Sequence, residues 1–149
     1  MDIPIHNQQN KISIGHVISG AIKKVVRQTL KKESLLKNSR IAICLVSHQR
    51  IRKINLKYLG KDTLTDVISF DLTDETLKSK GGIAADIIIS TQAAISNARI
   101  FKTTYLYELL LYVVHGLLHV LGYDDSNKKQ SRLMQQKAQA ILKKINVHP

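Results

Sequence analysis

Apolar residues recur along this chain in two rhythms, and the places where the rhythm changes outline its elements. Residues 3–5, Ile-Pro-Ile, suit a short edge strand, where a proline lacking an N–H is tolerated. From residue 13 to about residue 30, Ile14, Val17, Ile18, Ala21, Ile22, Val25 and Leu30 keep helical spacing, and Lys23, Lys24, Arg27, Lys31 and Lys32 take the polar positions. That spacing predicts an amphipathic, basic helix. Residues 41–46 are continuously apolar and partly β-branched, as in a buried strand; Ser47 then offers an N-cap to a helix whose Ile51, Ile54 and Tyr58 share a face before Gly60 ends it. Residues 66–72 alternate enough to be a further strand, 73–82 read as a polar loop, and 83–89 as another strand. Ser90 caps a helix to about residue 100, a helix over 105–121 follows, and from residue 126 onward Leu133, Ile141, Leu142 and Ile145 mark a last helix with a basic outer face. Helices outnumber strands and their order is mixed. The pattern predicts an α+β fold, a small mixed sheet packed against helices.

The helix over 105–121 differs from the others. It has no Pro, no Gly but Gly116, and apolar residues almost all round the helical wheel, so it should be buried on most sides. Thr104 is its predicted N-cap, Glu108 lies near the positive end of its dipole, and Gly122 is where it should stop. Inside this oily segment His115 and His119 stand one turn apart, so their rings project from the same face and can reach one ion. A turn at Gly122 would fold the chain back so that Asp124 or Asp125 supplies a carboxylate, three protein ligands plus water being the usual catalytic zinc arrangement. Two histidines on a buried helix are also compatible with satisfied core polar groups, and either aspartate with a cap for the next helix. The complete spacing, His-x-x-x-His-x-x-Gly-x-x-Asp, is similar to the zincin motif whose third ligand follows a glycine turn, and that spacing selects Asp125. The glutamate that sits beside the first histidine of zincins as general base is absent, because position 116 is Gly. Peptide hydrolysis by that route is disfavoured.

Charge and composition narrow the function. The 149 residues are one domain's length, 1–149, and 44% apolar residues suffice for a real core. With 23 basic and 11 acidic residues the formal charge is +12, which attracts polyanions such as nucleic acid or an anionic membrane surface. No apolar run approaches the roughly 20 residues of a membrane span, and the first residues lack a signal-peptide core. The one cysteine, Cys44, lies in the apolar run 41–46 and reads as a small hydrophobe in a reducing compartment. A cytoplasmic protein is expected. No Ser/His/Asp triad or Walker loop is visible, and Gly81-Gly82 is too short to cradle a phosphate. Asp66 and Asp86 sit in apolar strand surroundings, where an acid usually accepts buried hydrogen bonds, with a supporting or catalytic role as the alternative. Thr65 and Ser69 are expected to serve strand ends, and His6, His16, His48 and His148 to be surface residues.

Three ordered segments resemble those of the YbeY family, bacterial metal-dependent endoribonucleases of ribosomal RNA maturation. Residues 115–124, HGLLHVLGYD, resemble the family's HGxLHLxGYD; Asn55, Tyr58, Lys61, Asp62, Thr65, Asp66, Val67, Ser69 and Phe70 match its N..YR.KD.PTDVLSF; and Ala85-Asp86-Ile87 resembles its GDI. The likeness covers about two thirds of the chain, and three motifs in order make it specific. It implies a zincin-like α+β fold with the metal-binding helix near the C-terminus and one zinc ion held by His115, His119 and Asp125. It further implies single-strand-specific cleavage of a ribosomal RNA precursor in small-subunit processing, with the ribosome or its small subunit and assembly factors as partners. The candidate catalytic residues are His115, Lys61 and Asp66.

Two departures bear on that reading. Asp125 stands where the family's third ligand is histidine, which changes the site's charge by one unit and should leave a bound metal less Lewis acidic. Leu59 stands where the family has an arginine after the tyrosine, and a leucine cannot neutralise a phosphate; Lys57, Lys61 or Arg52 would have to supply that charge. Leu64 and Ala85 replace the Pro and Gly of the other motifs. The rival reading, motivated by Leu59, is a ribosome-assembly binding factor whose zinc is structural.

Overall fold

The computed structural model describes residues 1–149, with four strands and six helices. The strands are β1 (Ile5–Gln8), β2 (Arg40–Val46), β3 (Val67–Asp71) and β4 (Ala84–Ser90). The helices are α1 (His16–Lys32), α2 (His48–Leu59), α3 (Glu75–Ser79), α4 (Thr91–Phe101), α5 (Tyr105–Val120) and α6 (Lys128–Lys144). The sheet order is β1-β2-β4-β3; β1, β2 and β4 run parallel, and β3 runs antiparallel on β4. A mixed sheet with helices packed against it is the α+β arrangement expected from the pattern.

Strand register decides which side chains reach which layer. Ile41, Ile43 and Leu45 of β2 stand opposite Ala85, Ile87 and Ile89 of β4, and this face is buried in the main core with α1, α5 and α6. The alternate residues Val46, Ile68 and Ile88 make a smaller core with Ile51 of α2 on the other face. A slip of one residue would exchange the two faces, so the apolar sets fix the register. Within the main core α5 is the central helix: Leu109, Leu110, Leu117 and Leu118 are fully buried, each contributing about 2 kcal/mol of transfer free energy. The two histidines are therefore carried by one of the most deeply anchored elements.

Helix caps form where the sequence places them. The Oγ atoms of Ser47 and Ser90 accept from Arg50 N–H and Ala93 N–H, and Thr104 Oγ1 accepts from Tyr107 N–H. Gly60 ends α2 at φ 68°, in the left-handed region. Other boundaries differ from expectation. The first strand is residues 5–8 rather than 3–5: Ile3 is wholly buried, Pro4 supplies only a carbonyl to Ile43 N–H, and the polar His6, Asn7 and Gln8 pair through backbone alone. Helix α1 starts at His16 after an uncapped Gly15, and its phase leaves Val17 79% exposed while burying Val26. The predicted loop over 73–82 contains α3, capped by Asp74 on Leu77 N–H at 2.7 Å and anchored by one buried side chain, Leu77. Helix α6 is capped by Asn127, not by Asp125. No helix is long and apolar enough to cross a membrane.

Candidate functional site

The site is assembled where α5 ends. Leu121 closes the helix, Gly122 takes φ 93°, and Tyr123 N–H donates to Leu118 O at 3.0 Å, reversing the chain. Tyr123 is held in turn: its hydroxyl donates to Glu33 Oε1 at 3.4 Å, the Lys137 ammonium lies 4.7 Å from its ring centroid, and Lys137 pairs with Glu33 at 3.5 Å. This network ties the turn to the C-terminal end of α1 and the middle of α6. The two following aspartates then diverge. Asp124 Oδ1 accepts from the backbone N–H of Asp125 (2.7 Å) and Ser126 (3.1 Å), and hydrogen bonding to Ser126 holds its carboxyl below the usual carboxylate range. Asp125 instead directs Oδ2 at His119 Nε2, 3.7 Å away.

His119 is solvent-facing, whereas His115, one turn earlier, is half-buried beneath α6. Its Nε2 lies 3.1 Å from Gln135 Oε1. Burial pushes the His115 imidazole below the ordinary histidine value, against the opposing pull of the Asp66 carboxylate. The donor types suit a divalent ion: an imidazole whose charged form burial disfavours, a second imidazole on the same helix face, and a carboxylate beside that second ring. The side chains as placed do not gather three such groups at one point, since His115 faces Gln135 rather than Asp125.

Gly116, between the histidines, is where α5 touches the sheet. A Cβ there would lie 2.7 Å from Ile87 Cγ2 and 3.0 Å from Ser69 Oγ, so the position admits no side chain at this helix–sheet distance. The absence of a zincin glutamate at 116 thus has a packing cause. Ser69 lies within β3 rather than at a strand end, and its hydroxyl donates to Gly116 O at 2.9 Å. Beside this contact a cleft of about 510 Å³ opens, lined by Asn55, Lys61, Thr65, Ser69 and His119, with Leu59 at its wall. Buried Asn55 shapes its floor by donating to Thr63 O at 3.1 Å. Arg52 is committed elsewhere, to Asp62 at 2.7 Å on the exposed surface, so Lys61 is the cation that lines the cleft. A second groove of about 860 Å³, lined only by polar side chains, runs from Asp125 along α6 past Gln135.

A family model described as endoribonuclease YbeY matches residues 4–146. The chain belongs to the YbeY family. A relative in Finegoldia magna named endoribonuclease YbeY is 34% identical over 99% of this chain and 96% of its own length. One of the same name in Acetivibrio thermocellus is 32% identical, covering 99% of this chain and 98% of its own. A Thermotoga maritima protein solved in solution is similar at 27% identity with a TM-score of 0.62, over 97% of this chain and 92% of that one.

Against the YbeY motifs quoted above, the fold brings His115, His119, Asp125, Lys61 and Asp66 to one end of α5. His119 meets Asp125 and lines the Lys61 cleft, and the charge of Asp66 is felt at His115. Asp86 is not among them: it alternates with the core residues Ala85 and Ile87, and so faces the other side of the sheet near Cys44, whose thiol is pushed up by burial and then by Asp86. His6, His16 and His148 are exposed, while His48 is half-buried with Nδ1 3.1 Å from Ser90 Oγ. Two features escape sequence reasoning. Gln135 carries no signal on a polar helix face, and Glu33 is 90 residues from the tyrosine it supports.

Proposed function

We propose that this protein is a zinc-dependent endoribonuclease of the cytoplasm, specific for single-stranded RNA, acting on ribosomal RNA precursors in small-subunit maturation. The observation that carries the reading is the family match over residues 4–146, together with relatives named endoribonuclease that span the chain end to end. Those names leave the assembly-factor alternative without support. The zincin-like character, the zinc and the ribosomal partners rest on the resemblance and on the arrangement at the end of α5.

His115, His119 and Asp125 are the residues that would hold the ion. A zinc bound there supplies a water of lowered pKa and an electrophile for a phosphoryl oxygen. The chain's own groups do the rest. Lys61, on the cleft wall, attracts the RNA backbone and offsets charge building on the phosphate, in place of the arginine that Leu59 lacks. Asp66 adds negative potential at His115 and favours positive charge there. Ser69, bonded to Gly116 O, fixes the distance between the cleft wall and the histidine helix. The experiment is incubation of the purified protein with single-stranded and duplex RNA, with and without a chelator. Cleavage confined to the single strand and lost on chelation supports the reading; inertness on both RNAs with zinc bound removes it.

A further inference from the structure

We propose that the cleft beside α5 is a nucleobase pocket that takes one unpaired guanine of the RNA by its Watson–Crick edge; this rests on the reading of single-stranded RNA as the substrate. The anchor is Asn55, 3% exposed at the floor of the cleft. Its Nδ2 donates to Thr63 O at 3.1 Å and lies 3.3 Å from Thr63 Oγ1. A backbone carbonyl only accepts, so the orientation of the amide is fixed and Oδ1 is its free end. That oxygen takes no hydrogen bond from the protein, yet no buried side-chain oxygen lacks a partner, so it is open to the cleft that Asn55 lines.

The neighbouring hydroxyls have already committed their protons. Thr65 Oγ1 donates to Val67 O at 3.3 Å and Ser69 Oγ to Gly116 O at 2.9 Å, so both keep lone pairs and no free hydrogen. With Asn55 Oδ1 they make the interior of the cleft an accepting surface, and the donors Lys61 and Thr63 are exposed at its rim. Guanine alone among the four bases presents two adjacent donors, N1–H and the N2 amino group, next to the acceptor O6. Its donors suit the interior and O6 the Thr63 hydroxyl, with Lys61 left to the phosphate. Adenine and cytosine would set a ring-nitrogen lone pair, and uracil a carbonyl, against those acceptors and leave them unpaired. The faces of the base meet Leu59 and Leu64, 50% and 56% exposed, which stand where the YbeY motif has arginine and proline. A Watson–Crick edge is free only in an unpaired strand, so the same contact rejects duplex.

The test is binding without metal, by fluorescence anisotropy, of short oligouridylates carrying one central guanosine, adenosine, cytidine or uridine. The guanosine oligomer is expected to bind tightest, by roughly 4- to 100-fold, from two net hydrogen bonds of roughly 2- to 10-fold each. Inosine, which lacks the N2 amino group, should bind several-fold more weakly than guanosine, and deazaguanosine, altered only at N7, should match it. Leu59→Ala and Leu64→Ala should weaken the guanosine oligomer several-fold more than the all-uridine one, while Leu133→Ala, at a similarly exposed leucine of α6, changes neither. Asn55→Ala also releases Thr63, so the base analogues carry the test of Asn55. Equal affinity for the four oligomers, tightest binding of another base, or inosine matching guanosine overturns the proposal. Cleavage of the same oligomers with zinc is read separately: cutting all four alike with equal affinity keeps the nuclease and removes the pocket, whereas guanosine-selective binding without cutting removes the nuclease and keeps the pocket.

Discussion

Ser69 and Gly116 are joined across the interface between sheet and central helix, the serine hydroxyl donating to the glycine carbonyl at 2.9 Å. The pair sets how closely α5 lies on β3, and hence where the two histidines stand relative to the cleft. With a Cβ at 116 only 2.7 Å from Ile87 Cγ2, Gly116→Ala must push the layers apart. The expected cost is roughly 1–3 kcal/mol, read from urea unfolding of the metal-free protein. Ser69→Ala should cost about 1 kcal/mol. A Gly116→Ala protein as stable as wild type would show that the contact has slack.

The divergence of Asp124 and Asp125 predicts different consequences for the two. Asp125→Ala, like His115→Ala and His119→Ala, should lose zinc on purification, and Asp125→His should keep it by restoring a third imidazole. Asp124 braces the turn through Asp125 N–H and Ser126 N–H, so Asp124→Ala should weaken zinc by about 10-fold without abolishing it. Metal analysis of the variants decides: full zinc in Asp125→Ala, or its loss only in Asp124→Ala, assigns the other carboxylate.

Much of this could be read from the chain because the signals were local. Ser47, Ser90 and Thr104 each place a side-chain oxygen just before an apolar helical rhythm, and all three cap. The His-x-x-x-His spacing marked one face, whereas Gly116 was read only as a missing glutamate and its close approach to Ile87 and Ser69 came with the packing. What was missed depends on tertiary partners. Strand β1 is polar because an edge strand needs only backbone pairing, α3 rests on the single apolar anchor Leu77, and the phase of α1 was misjudged at Val17 because Val26 takes the buried side. Asp86 looked equivalent to Asp66, but it alternates with the core residues Ala85 and Ile87 and so faces away from α5, beside Cys44, whereas Asp66 precedes β3 and its charge is felt at His115. Gln135 reaches His115 only through the packing of α6 against α5.

The charge of the cleft predicts how RNA binds. With a formal charge of +12, affinity for single-stranded RNA should fall steeply with salt, each phosphate contact adding roughly 0.7 to the logarithmic slope. Lys61→Glu, on the cleft wall, should weaken binding and reduce the slope more than Lys143→Glu at the far end of α6, with Lys57→Glu intermediate because its ammonium lies 5.2 Å from the Tyr58 ring. Leu59→Arg, at a half-exposed position, should tighten binding. Equal losses at all three lysines would leave only a diffuse field.

Burial of His115 makes the metal-free protein sensitive to acid. Its folded pKa lies below the ordinary value of 6.5, so the unfolded chain takes up the proton first. The contribution is complete above that ordinary value and is lost as pH falls through the folded pKa. Urea midpoints should therefore decline on acidification more in wild type than in His115→Asn. Removing the opposing charge in Asp66→Asn should lower the folded pKa further and extend the decline to lower pH. Parallel profiles for wild type and His115→Asn would mean another group governs the acid limb.

The decisive measurement is cleavage of a single-stranded ribosomal RNA fragment by the purified protein, before and after chelation, alongside His119→Ala and Asp125→Ala. Wild type should cut, lose activity on chelation and regain it with zinc, while both variants stay inactive whether or not zinc is added. Cutting that survives the chelator, or persists in both variants at the wild-type rate, would contradict a metal-dependent nuclease centred on the end of α5.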